Sequence, residues 1–271
     1  MPLVEHGTLT HHYAHHPRLG RHQVLDARSL NWLHEHDGQP LKPTAHAPRT
    51  PVLDQEDLLK QGIYVSKVVA GAEDVDALGS CTGNAGTAAV SVLLDVHFAA
   101  AVGLDYSSAV ASEEWAIGLY AQATGLDQAS GTFPPDDSGS SGLGIAKALK
   151  QRGIVGSYTH ATTATAIASL LQRGPVLLGV PWFQSWFDPD ASGFIDHGDW
   201  ESSGVAGGHE ICVYGLEQVT CDHAGRVEPE STVIRFRNSW GGSWGDGGDG
   251  LMTLATYQRL RRSIDAIQLR H

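Results

Sequence analysis

The sequence predicts an α+β fold of two lobes, a helical one followed by a β-rich one, with a cleft between them. Three observations carry this. Up to about residue 172 the apolar residues fall at helical spacing, whereas after Gly174 they form short runs broken by Gly, Asp and Ser clusters. With 41% hydrophobic and 18% charged residues over 271 positions, the chain can bury a large core without disulfide or metal staples. The first fifty or so residues are polar and rich in His and Pro, which reads as an extended arm on a larger body. The expected organisation is an arm over 1–52, a helical lobe over 53–172 and a β-rich lobe over 173–271.

Taken in order, the arm holds His6, His11, His12, His15, His16 and His22. His-rich tracts can bind metal, but no carboxylate or Cys stands at ligand spacing, so solvated imidazoles are preferred and no metal is expected. Thr82 to Ala101 is small or apolar on nearly every face and predicts a buried helix. A second helix is expected from Ser112 to Thr124, with Ser112 as cap and Glu113 and Glu114 at its positive end. A third should start near Ser140 and end at Gly153, and a fourth should lie within residues 164–174. The runs PVLLGVPW, HEICVYGLEQV, STVIRFRNSW and DGLMTLATY predict strands.

Composition also excludes partners. A formal charge of −12 offers no source for phosphate neutralisation, so nucleic acid is not expected. No run of about 18 apolar residues and no secretory-signal layout is present, so a cytoplasmic protein without membrane attachment is the expectation. Three cysteines, Cys81, Cys212 and Cys221, cannot form a complete disulfide set, and their spacing suggests no zinc site.

The chemistry-bearing residues lie in three segments. Cys81 sits in Leu78-Gly79-Ser80-Cys81-Thr82-Gly83-Asn84, a small-residue turn that opens into the buried helix, where unsatisfied N–H groups favour thiolate. A small buried hydrophobe is the bland alternative, and it fits Cys212 better. Gly207-Gly208-His209 precedes an apolar strand, a position suited to a general base that another backbone can approach. Arg237-Asn238-Ser239-Trp240-Gly241-Gly242-Ser243-Trp244 then places two indoles and an amide around glycines.

In this order, LGSCTGNA, GGHEICVYG and RNSWGGSWGDGG resemble the papain-like cysteine peptidases, especially the bacterial and phage-borne branch with GSCT at the nucleophile. Cys81 and His209 lie 128 residues apart and 29 more lead to Asn238, close to the roughly 130–150 of such enzymes. The resemblance implies the two-lobed papain-like fold, with a helical lobe, an antiparallel β-barrel-like lobe and the active site in the cleft. It implies Cys81 as nucleophile, His209 as base, Asn238 as the orienter of His209, and Trp240 as a shield over their hydrogen bond. A peptide or protein is then the substrate, no cofactor is needed, and a phage-associated setting joins the cytoplasmic one.

Three departures matter. Leu78 replaces a Cys that often forms a disulfide, in keeping with a reducing compartment. Val75 holds the place, six before the nucleophile, of the usual oxyanion-donating Gln. The stretch Pro51-Val52-Leu53-Asp54-Gln55 looks like the segment that ends in that Gln, so if residues 56 to 77 loop out and return, Gln55 and the Cys81 N–H would form the oxyanion site. Finally, no helical inhibitory pro-segment pattern is visible in residues 1 to 77, so either the enzyme is made active or the arm masks it.

Asp137 to Gly142 reads equally as a Gly-rich wall beside bound peptide and as a helix cap. Trp182, Phe183, Trp186 and Phe187 suit either cleft or core. Rival functions are a papain-fold binding or assembly protein, joined to a larger particle through the arm and with hydrolysis weak or lost, or another acyl transferase or amidase using the same triad.

Overall fold

A computed structural model of the chain describes residues 16, 18–23, 31–127 and 131–271. His6, His11, His12 and His15 lie outside these. After the short strand β1 (Thr44–Ala45) come the helices α1 (Val65–Val68), α2 (Cys81–Leu93), α3 (Val96–Ala101), α4 (Ala109–Thr124) and α5 (Gly142–Gln151). Strand β2 (Ser157–His160) and helix α6 (Ala164–Leu171) lead into β3 (Val176–Phe183), β4 (Val205–Gln218), β5 (Val233–Arg237) and β6 (Asp249–Thr253). Helix α7 (Leu254–Leu260) and strand β7 (Asp265–Arg270) complete the order.

The predicted buried helix is present but ends early. Asp95 accepts hydrogen bonds from the N–H groups of His97 and Phe98 and so caps a separate helix, α3. Helix α4 begins three residues before the predicted start, because Ser108 is its cap, accepting from Ala111 N–H. Ser112 is instead buried and donates to the Asp105 carbonyl at 2.7 Å. Glu113 is also buried, so it is no solvated dipole partner. Ser141 caps α5 and Thr163 caps α6, close to expectation. At the other end, the predicted strand through DGLMTLATY stops at Thr253 and its second half is α7.

The seven strands form one antiparallel sheet in the order β2-β7-β3-β4-β5-β6, with β1 paired to β4. Its path is open rather than closed. The long β4 pairs with β3 through residues 205–213 and with β5 through 212–218, so it bends from one partner to the next. Two of the seven, β1 and β2, come from outside residues 173–271.

Apolar burial holds helices and sheet together. Val90, Leu119, Ile145 and Leu149 from the helices share one cluster with Leu177, Cys212, Ile267 and Leu269 from the strands. Helix α2 owes its small residues to this position: a Cβ on Gly83 would stand 2.3 Å from the Ala116 carbonyl oxygen of α4. A second cluster, rich in Trp, lies on the other face of the sheet. Among the described residues no helix is long and apolar enough to cross a membrane.

Candidate active site

Cys81 occupies the first helical position of α2, after the Leu78–Ser80 turn. That turn is held from two sides. Asp137 accepts from Gly79 N–H at 2.8 Å and from the Tyr120 hydroxyl at 2.6 Å, while the Ser80 hydroxyl donates to Asn84 Oδ1 at 2.9 Å. On the sheet side, the backbone N–H of Glu210, next in sequence to His209, points at the Cys81 sulfur, as does that of Thr82. The nucleophile turn and the His209 strand are therefore in direct contact, 128 residues apart in sequence.

His209 lies on β4 opposite Val180. Because the ladder pairs Cys212 with Arg237, the residue after β5, Asn238, runs alongside the 209–211 stretch. His209 Nε2 and Asn238 Oδ1 are 2.7 Å apart, and the same oxygen accepts from Ser239 N–H at 2.8 Å. Nε2 thus carries the proton, which leaves Nδ1 as the lone-pair nitrogen of the neutral ring. Trp240 lies against the imidazole with ring centroids 4.7 Å apart, and Trp182 meets it edge-on at 4.8 Å. Phe187 stacks on Trp240 at 5.2 Å, whereas Trp182 and Trp186 are fully buried core.

Gln55 is buried under the nucleophile turn. Its Nε2 donates to the Leu78 carbonyl at 2.8 Å and its Oε1 accepts from the Ser239 hydroxyl at 2.8 Å. Leu78 N–H returns to the Gln55 carbonyl, and Leu58 N–H to that of Asp76, so residues 56–77 leave and come back to the same place. Val75 packs against the cluster of Leu58, Ile63, Leu78 and Tyr120.

The arm enters this site. Gly20 N–H points at the Cys81 sulfur, its carbonyl accepts from Ser140 N–H at 2.8 Å, and Arg21 N–H donates to the Gly208 carbonyl at 3.0 Å. His22 N–H then donates to the Ser140 carbonyl at 2.6 Å. An extended segment therefore lies between the 137–142 loop and the start of β4, directly over Cys81. In that loop Ser140 borders the arm segment, and Ser141 caps α5. Arg18 follows the same course, its guanidinium 5.3 Å from the Trp240 ring.

Covering the site changes its electrostatics. Cys81 and His209 are both 0% exposed. Burial pushes the thiol up to about 12, against the opposing N–H groups of Glu210, Gly20 and Thr82. It also pushes the imidazole down to about 4, although Asn238 and the Arg18 carbonyl favour the protonated ring. With the arm in place, thiol and imidazole are both neutral. The thiolate expected from the helix terminus is not the form this burial favours, because desolvation outweighs the local N–H groups.

Some residues of the cleft carry no motif. Arg21, Glu210 and Asp265 meet there although they are far apart in sequence. A Glu inside the apolar run HEICVYG was the readable signal, since acids are rarely fully buried without a partner. Among the described residues no group of three or more His, Cys, Asp or Glu could hold a metal ion.

Comparison with solved structures bears on the fold. The chain matches xylellain, a cysteine protease from Xylella fastidiosa, with a TM-score of 0.60 and 15% identity, over 93% of this chain and 96% of that one. The fold is papain-like. Other papain-like matches are digestive procathepsin L 3 of Tenebrio molitor, with a TM-score of 0.51 at 14% identity over 94% and 77% of the two chains, and procathepsin B S9 from Trypanosoma congolense, with 0.53 at 10% over 94% and 87%. No family model and no curated protein matches the sequence. Within the papain-like fold, the seam between α2 and β4 is where Cys81, His209, Asn238, Gln55 and Trp240 gather.

Proposed function

We propose that the protein is a cysteine peptidase that hydrolyses peptide bonds through Cys81, His209 and Asn238. The observation that supports it most is the His209–Asn238 hydrogen bond of 2.7 Å under Trp240, on a strand whose next N–H meets the Cys81 sulfur. Asn238 fixes the tautomer and leaves Nδ1 free to take the thiol proton.

Once the arm gives way to a peptide, sulfur attacks the scissile carbonyl carbon and His209 accepts the thiol proton. The oxyanion is stabilised by Cys81 N–H and by the Gln55 amide. His209 returns the proton to the leaving nitrogen as the C–N bond breaks, which leaves a thioester on Cys81. Water then attacks the thioester, His209 acting as base, and releases the acid and the free thiol. Trp240 and Trp182 keep water off the imidazole–amide bond. No step calls for a metal or organic cofactor.

A vinyl-sulfone or epoxide peptide probe tests the reading. In the Arg21→Gln chain, whose arm is weakened in the cleft, Cys81 should label faster than free cysteine, with a rate that rises with the peptide element, and adding Cys81→Ala or His209→Ala should abolish that labelling. Labelling no faster than free cysteine would favour a papain-fold assembly protein.

A further inference from the structure

Glu210 and Asp265 flank Gly179. The register sets Gly179 opposite Glu210 on β4 and opposite Asp265 on β7, so two carboxyl groups stand in a row across three adjacent strands with a bare backbone between them. A Cβ at position 179 would lie 2.4 Å from Arg21 Nε, 2.6 Å from Asp265 Oδ1 and 2.8 Å from Glu210 Oε2. The missing side chain makes the room. Gly142, at the start of α5, closes the opposite side, where a Cβ would lie 2.5 Å from Glu210 Oε1.

The Arg21 guanidinium fills this space. Its Nη2 donates to Asp265 Oδ1 and its Nη1 to the Ser263 carbonyl at 3.1 Å. Arg21 and Glu210 are buried, and the Asp265 side chain is 8% exposed. The Gly142 N–H faces the Glu210 carboxyl, but neither Glu210 oxygen has a partner in full hydrogen-bond geometry, nor has Arg21 Nε. A buried ion pair is a weak source of net stability compared with apolar packing. Here the carboxyl groups belong to the rigid sheet, whereas their cation belongs to an arm held beside it by main-chain hydrogen bonds to Gly208 and Ser140. Any extended peptide can make such bonds, so discrimination falls to the side chain that enters the acidic row.

We propose that Glu210, Gly179 and Asp265 form a specificity pocket that selects peptides carrying an arginine side chain, and that Arg21 is the chain's own occupant of it. The proposal rests on the peptidase reading of the same cleft. Arginine fits better than lysine, because the planar fork reaches Asp265 and the Ser263 carbonyl with separate nitrogens, whereas an ammonium is a single point of charge. Burial pushes the Glu210 carboxyl up to about 8, against the opposing pull of the Arg21 charge beside it.

The test uses the full chain with Arg21→Gln, to empty the pocket, and Cys221→Ser, to remove the exposed thiol. The rate of Cys81 alkylation by iodoacetamide is followed by mass spectrometry in the presence of two peptides. Both have the sequence of residues 18–23, and they differ only in carrying arginine or neutral citrulline at position 21. The arginine peptide should slow alkylation at least tenfold more than the citrulline peptide, and adding Asp265→Asn should abolish that difference. Equal protection by the two peptides, or protection by neither, overturns the proposal. If Asp265→Asn does not fold, the paired peptides on the Arg21→Gln chain carry the test alone. Peptide turnover is read separately: protection without cleavage of any peptide would leave the pocket standing and remove the peptidase reading. Cleavage with no arginine preference would do the reverse.

Discussion

Gln55 Nε2 donates to the Leu78 carbonyl at 2.8 Å, three residues before Cys81 in sequence. A residue 26 positions upstream of the sulfur thereby lies beside the turn that presents it. Gln55→Ala should slow acylation of Cys81 by about 100- to 1000-fold, the usual cost of one oxyanion donor. Val75→Gln should not restore it, because Val75 packs into the Leu58–Tyr120 cluster instead. Pre-steady-state acylation with a peptide ester checks both, and unchanged acylation in Gln55→Ala would remove the amide from the mechanism.

His209→Ala should lower turnover by about 100- to 10,000-fold, the range of a positioned general base. Asn238→Ala should cost less and act through the ring, since it deletes the acceptor that holds Nε2–H. A comparison of kcat/KM for the two variants checks this ordering, which fails if Asn238→Ala is the more damaging.

Burial raises the Cys81 thiol to about 12, so alkylation of the arm-covered chain should increase about tenfold per pH unit from pH 7 to 10 without a plateau. The increase is set against the imidazole, which burial keeps neutral above about pH 4. In Arg21→Gln the same titration should begin at lower pH, because solvent regains the sulfur. Both variants need the Cys221→Ser background, as Cys221 is exposed and Cys212 is buried.

Glu113 accepts from Asn84 Nδ2 at 2.6 Å and from Asp54 N–H at 3.0 Å, and burial raises its carboxyl to about 7. The folded chain therefore keeps this proton at pH values where the unfolded chain has lost it. The resulting stability is full below about pH 4.5 and is lost as pH rises through 7, amounting to about 3 kcal/mol. Glu113→Gln should lose less stability than the wild type between pH 5 and 8. Urea midpoints at the two pH values measure it, and equal losses would contradict it.

Where local sequence dictates local structure, the reading from sequence is good. The small-residue turn before α2, the Gly-flanked start at His209 and the Asn–Trp segment after β5 each announce themselves. Competing local bonds explain the misplaced elements: Asp95 starts a new helix, Ser108 rather than Ser112 caps α4, and the apolar run after Thr253 coils against the sheet. Strands β2 and β7 have no distinctive alternation and gain their partners only through the sheet. The place of Arg21 is of another kind. Nothing near it in sequence indicates two acids 189 and 244 residues away, which only the register of three strands brings together.

Downstream of residues 18–23 the arm itself is stitched to the body, by Leu33 bridged to His160 and by β1 on β4. An arm that leaves the cleft therefore stays leashed to it. Its return is unimolecular, with a local concentration in the millimolar range for a short tether. Diluting the protein will not unblock it, and a free peptide must outcompete a rival that never diffuses away.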